Sequence, residues 1–311
     1  MPSPLHRQVT ASAALVGCAM IWGSPIPLIE DLSQRWDALS LGVLRYALAL
    51  PLAFLIASAS LGWKLPPLRP DNVGLLRLLA LGSFGLSGFA VLYVVAIWHM
   101  DAGMAAVIAA MSPVTSGLVA LAYGEKPSRP LMIAVALAVL GASFASMDFS
   151  SDAQVFSFRG GEIIFLFAQV LWAWYSLGCR RAMPTTSPAV ISFATMLPGG
   201  ITLLLLWLAL QAFGAIPPLP QTAPASDYYI IAFLGIFGAA LAIVFWNYGV
   251  AGLGLLASAL HMNMIPLFVI LSAYALGVDP SWEQMVGGAI VIAGVLQAQL
   301  SFLKPGRRLA N

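Results

Sequence analysis

Charge is what this sequence has least of. Aspartate, glutamate, lysine and arginine together make up 8% of its 311 residues, whereas a water-soluble domain carries about a quarter. Water therefore cannot be the solvent for most of the chain. Its two cysteines, Cys18 and Cys179, fall in or at the end of apolar runs, so neither a disulfide framework nor a metal site is expected. Three scattered histidines and carboxylates confined to the ends of those runs do not supply an enzyme acting on a lipid-linked substrate, which needs acid, base or metal-binding groups gathered at one depth. No ring of charges or filter motif suggests a channel. The net charge of +2 is too small to imply nucleic acid, and no cofactor motif is visible.

What the chain does have is apolar length. Sixty per cent of its residues are hydrophobic and mean hydropathy is +0.92. A helix needs roughly 20 mainly apolar residues to cross a hydrocarbon core about 30 Å thick. Ten such stretches can be marked, approximately 9–29, 38–61, 72–98, 102–122, 130–147, 161–180, 189–213, 228–250, 253–276 and 283–302. Backbone groups in lipid must be satisfied within each segment, and the runs are too long and too uniformly apolar for barrel strands, so an all-α polytopic membrane protein is expected. Leu15-Val16-Gly17-Cys18 resembles a lipoprotein cleavage box, but the first apolar run continues past it and has a later counterpart.

Charge placement checks the count. Threading ten spans puts Arg7, Lys64, Arg69, Arg77, Lys126, Arg129, Arg180, Arg181, Lys304, Arg307 and Arg308 on one face, against Arg35 and Arg159 on the other. Ten of the twelve acids sort the opposite way, leaving only Asp71 and Glu125 on the basic face. Basic loops stay in the cytoplasm, so both termini are expected there, in a bacterial inner membrane.

The chain also repeats itself. Shifted by 153 positions, Leu81-Gly82-x-Phe84-Gly85 falls on Leu234-Gly235-x-Phe237-Gly238, Pro113 on Pro266 and Gly141 on Gly294; shifted by 150, Trp22 falls on Trp172. The expected units are residues 1–150 and 151–311. Each holds five spans, an odd number, so the second enters the membrane with reversed polarity. Inverted repeats of this kind recur in secondary transporters, with substrate near the midplane between the two copies. Since one chain carries both copies, a monomer suffices.

The candidate site residues are polar and aromatic side chains inside the spans. His261 and Asn263 near the middle of span nine are candidates because a polar group in hydrocarbon is costly; the alternative is a helix-to-helix hydrogen bond. His261 could also titrate and couple transport to protons. Trp22, Trp172 and Trp174 are candidate cavity linings, and so are Tyr93 and Trp246, which coincide under the 153 shift. Pro25, Pro113 and Pro266 remove backbone donors within spans and are candidate gating or structural positions. Arg45, the one basic residue inside a span, is assigned to that group as a salt bridge or a snorkel to the outer face, with substrate carboxylate binding as the alternative. The glycines of spans three and eight are read as close helix contacts.

Ile21-Trp22-Gly23-Ser24 in span one, Leu44-Arg45-Tyr46-Ala47 in span two, and Pro113 followed by Gly124-Glu125 in span four resemble the EamA-type drug/metabolite transporters over nearly the whole chain. That resemblance implies ten helices in two inverted five-helix repeats, a cavity between them, and movement of small metabolites or drugs, often outward. Within the group, the density of tryptophan and tyrosine is similar to that of the YddG-type exporters of aromatic amino acids. One departure is Gly277-Val278-Asp279 in the second repeat, where an acid directly after glycine is more usual. No carboxylate lies deep in a span and no basic cluster could hold phosphate. The expectation is an amino-acid exporter working by alternating access; a multidrug or lipophilic-cation exporter of the same fold is the alternative.

Overall fold

The computed structural model describes residues 4–99, 108–145, 160–279 and 281–303, and among these every regular element is helical. Ten helical segments follow one another. Helix α1 runs Pro4–Gly23 and resumes as Ile26–Ser33; α2 is Ala38–Ser60; α3 covers 75–98; α4 is Ser112–Ala122, preceded by a short turn at 108–110; α5 is Arg129–Ala145. The second half gives α6 (Gly161–Ala182), α7 (Pro188–Ala212), α8 (Ala225–Leu253), α9 (Leu255–Met262 resuming as Ile265–Ala275) and α10 (Trp282–Leu303). Six of them, α2, α3 and α6 to α9, are each long and apolar enough to cross a membrane unaided. The first residues of the expected fourth span, 102–107, lie outside the described part.

Local chemistry sets several ends. Asp37 caps α2 by accepting from the Ser40 amide at 2.9 Å, and Ser187 caps α7 by accepting from the Val190 amide. These two caps are 150 positions apart, so equivalent helices begin at equivalent residues in both halves. Breaks are shared as well. Helices α4 and α9 restart at Ser112-Pro113 and Ile265-Pro266, with proline in the first turn where its missing amide costs nothing. Pro25 stands at the restart of α1, as its position in the span suggests.

Packing follows the duplication. Helix α1 lies on α8 as α6 lies on α3; α2 meets α8 as α7 meets α3; and α2 with α7, α4 with α9, and α5 with α10 pair across the two halves. The symmetry holds at single residues. A side chain on Gly141 would strike Gly287, Ile290 and Val291, and one on Gly294 would strike Ala134, Leu137 and Ala138, three pairs each 153 apart. Similarly Gly82 abuts the Thr195 carbonyl and Pro198, while Gly235 abuts the Arg45 carbonyl and Leu48, their partners under the 150 shift. The architecture is a ten-helix fold of two inverted repeats, held together chiefly by contacts between them rather than within them. Outward-facing leucines such as Leu76 and Leu205 stay exposed, as a lipid-facing surface requires.

Two expectations change. The LGxFG blocks are not plain helix: Leu81–Gly88 and Leu234–Leu241 are both π-helical, again 153 apart. Close packing explains Gly82, Gly85 and Gly235, but Gly88 and Gly238 have no foreign atom nearer than ordinary contact. Within each π turn the glycines therefore differ, Gly82, Gly85 and Gly235 pressing on another helix while Gly88 and Gly238 leave room for a side chain.

Candidate functional site

Helices from both halves bring three indoles together. Ring centroids of Trp22 (α1) and Trp172 (α6) are 5.8 Å apart, those of Trp172 and Trp246 (α8) 5.4 Å, and those of Trp22 and Trp246 6.4 Å. Trp22 and Trp172 each touch both of the large apolar cores, so the trio occupies the joint between them. Aromatic rings prefer such tilted and edge-on arrangements over face-to-face stacking. Their polar edges are anchored as well. Trp22 Nε1 donates to the Gly238 carbonyl at 2.8 Å, and Trp246 Nε1 donates to Ser176 Oγ at 2.9 Å. The Ser176 hydroxyl in turn donates to the Trp172 carbonyl at 2.7 Å. Gly238 belongs to the π turn of α8, where misalignment of the ladder turns a carbonyl toward another helix.

The aromatic path extends toward the acidic face. Trp172 meets Phe89 at 5.1 Å, Phe89 stacks on Tyr93, and Tyr93 meets Phe165. Although Tyr93 and Trp246 are equivalent by sequence, their surroundings differ: Tyr93 is 42% exposed and Trp246 1%. Toward the basic face, a small open cleft of about 40 Å³ is lined by Ser176, Cys179, Arg180, Met183, Ile191 and Asn247 among others. At its floor the Asn247 amide donates to Tyr175 Oη at 3.2 Å and to Ser192 Oγ at 2.9 Å, and Tyr175 shares a hydrogen bond with Thr195. Asn247 is not among the sequence candidates, although it adjoins Trp246. Tyr175, Ser192 and Thr195 went unnoticed because their partners lie on other helices.

The remaining candidates sit apart from the trio. Trp174 is partly buried against the second core. His261 is fully buried, and its Nδ1 meets the Ala257 carbonyl of its own helix at 2.7 Å. Asn263 sits in the gap between the two pieces of α9 and donates to the Ala110 carbonyl at 3.3 Å. Ala110 is its repeat-mate, 153 positions earlier, so this bond lies at the pseudo-twofold axis. Arg45 Nη2 lies 3.6 Å from where a side chain on Gly238 would begin, beside the carbonyl that holds Trp22.

Each face carries a cross-link between the halves. On one, the Arg35 guanidinium grips both oxygens of Asp227, at 3.0 and 2.8 Å, and also reaches Asp31, while Trp36 Nε1 donates to Asp227. On the other, Asp71 accepts from the side chain and the amide of Thr185, and Arg180 pairs with Glu125. Arg35 and Thr185 are equivalent under the 150 shift. Among the described residues no three histidine, cysteine or carboxylate side chains are grouped to hold a metal.

Two inverted five-helix bundles meeting at a buried aromatic joint define a polytopic transporter fold. The chain belongs to the EamA-like transporter family, whose model matches it twice, over residues 10–147 and 159–298. It is 24% identical to the uncharacterized transporter YyaM of Bacillus subtilis over 91% of this chain and 92% of that one. It is also 28% identical to a protein of Streptantibioticus cattleyicolor named "Probable terminal-alkyne amino-acid exporter", covering 91% of both. One solved crystal structure superposes with a TM-score of 0.74 over 94% of this chain and 98% of the other, at 20% identity, a likeness of fold.

Proposed function

We propose that this transporter exports neutral amino acids, aromatic ones foremost, and related small metabolites from the cytoplasm by alternating access. The observation that carries the reading is the cluster of Trp22, Trp172 and Trp246 at the joint between the two halves. A flat apolar side chain has large rings to pack against there, and Ser176 and Asn247 offer polar contacts on the way in from the basic face. The amino-acid exporter among the relatives points the same way. In this mechanism residues 1–150 and 151–311 rock against each other, with both termini in the cytoplasm of a bacterial cell. The Arg35–Asp227 and Asp71–Thr185 cross-links are both formed here, so opening either mouth requires the cross-link on that face to part. His261 and Asn263, beside the broken centre of α9, act at the pivot.

Counterflow of labelled phenylalanine, leucine and threonine in proteoliposomes tests the substrate class. Saturable exchange of at least one of them is expected; no saturable exchange of any would defeat the reading. Reporter fusions at the two termini test the topology, and ends on different faces would remove the inverted arrangement on which alternating access rests.

A further inference from the structure

Arg45 makes no hydrogen bond or ion pair among the described residues, and its Nε is shielded from solvent without a partner. An unpaired cation on a membrane-spanning helix is expensive, and the cost falls when a counter-charge arrives. Its surroundings show where that charge would sit. Gly238 of α8 borders the guanidinium, and Tyr46 of its own helix and Tyr93 of α3 lie within reach of its charge. The group thus lies near helices from both halves, beside the Gly238 carbonyl that anchors Trp22 and within charge range of Tyr93, which stacks on Phe89.

The duplication supplies an internal control. Thr195 occupies the equivalent position in the second half, and its backbone meets Gly82 as the Arg45 backbone meets Gly235. Thr195 is buried and bonded to Tyr175 and to the Ile191 carbonyl. The helix crossing therefore does not require arginine. What Arg45 adds over its repeat-mate is an unmet positive charge beside Gly238, the residue whose carbonyl anchors Trp22.

We infer that Arg45 is a carboxylate-binding subsite, which holds the acid end of a substrate whose apolar part rests on the tryptophan cluster. It deepens the amino-acid reading above and rests on it for the zwitterionic form of the ligand. A fixed cation at this place attracts carboxylates and repels lipophilic amines, so it selects against the cations that an aromatic cluster alone would welcome.

The test compares four compounds of one shape: phenylalanine, phenylalaninamide, phenethylamine and 3-phenylpropionate. In proteoliposomes the wild-type protein should be inhibited by phenylalanine at least tenfold more strongly than by its amide, since a charge-assisted hydrogen bond is worth roughly 10- to 100-fold in affinity. Arg45→Gln should reduce that preference to within about threefold through weaker binding of the acid, with Arg45→Lys in between. Where Arg45→Gln fails to fold, the acid-over-amide ratio of the wild type and of Arg45→Lys carries the test. Quenching of indole fluorescence by 3-phenylpropionate in wild type but not in Arg45→Gln, with no phenylalanine exchange, would sustain the subsite and overturn the amino-acid reading. Phenylalanine exchange with an unchanged acid-over-amide ratio in Arg45→Gln, or a wild type that binds acid and amide alike, would overturn the subsite.

Discussion

Replacing Gly82 by alanine should loosen the seam between the two halves, and the size of the effect can be worked out. The added Cβ would stand 2.4 Å from the Thr195 carbonyl oxygen, 2.6 Å from Pro198 Cγ and 3.0 Å from the Gly199 amide nitrogen. None of these atoms is the end of a flexible side chain, so α3 and α7 must move apart. Forcing a methyl group into a filled contact costs about 1–3 kcal/mol. Alanine recovers up to about 1 kcal/mol over glycine through helix propensity. From the middle of the first range the net expectation is a loss of about 1–2 kcal/mol, which in a chain of 311 residues lowers Tm by roughly 1.5–3 °C. Gly88 in the same π turn is the control, because its nearest neighbours would be at 3.5 and 3.6 Å, and Gly88→Ala should hold or gain stability. Gly235→Ala, whose Cβ would meet Leu48 Cβ at 2.8 Å and the Arg45 oxygen at 2.9 Å, should repeat the loss at the symmetric crossing. The assay is thermal unfolding in detergent followed by tryptophan fluorescence and size exclusion. Equal stability of Gly82→Ala and wild type, or an equal loss in Gly88→Ala, would refute the assignment of these contacts.

Other perturbations have definite outcomes. Arg35→Gln and Asp227→Asn should each lower Tm, and the double variant should lose clearly less than their sum because the two act as one unit; strict additivity in a double-mutant cycle would show that they do not. Hydrogen bonds from Thr185 hold the Asp71 carboxyl below its ordinary 3.8, and the Arg35 hydrogen bond and charge do the same for Asp31. A lowered folded value stabilises above the unfolded one and is lost on acidification, so thermal stability should stay flat from about pH 5 to 7 and fall below about pH 4. Asp71→Asn should blunt that fall, and an unchanged acid limb would rule out the contribution. His261→Ala should reduce transport more than His99→Ala at equal expression; equal transport by the two would remove His261 from the pathway. Transport that does not vary between about pH 5.5 and 8 would rule out a histidine proton switch.

Much of the fold is legible in the sequence because bilayer physics leaves few options. Span length, the sorting of Arg77, Lys126 and Arg180 from the acids, and the recurrence of Pro113 as Pro266 each constrain it separately. The restarts at Pro25, Pro113 and Pro266 follow from a missing amide. The π turns were not legible, since a one-residue change in ladder register leaves no mark on an apolar sequence. The aromatic cluster of the candidate site was legible only as parts. Trp22 and Trp172 stand out as repeat-mates, yet their meeting with Trp246 depends on how α1, α6 and α8 cross. The unpaired state of Arg45 is likewise a property of its neighbours and not of the Leu-Arg-Tyr-Ala stretch that contains it.

The bond from Asn263 to Ala110 has an evolutionary consequence. A position that meets its own duplicate is the one place where two identical copies must present the same side chain to each other. Within one chain each copy can take a different residue at that point, so the centre carries a one-way bond, from Asn263 to the Ala110 carbonyl, at which the two halves stop being interchangeable.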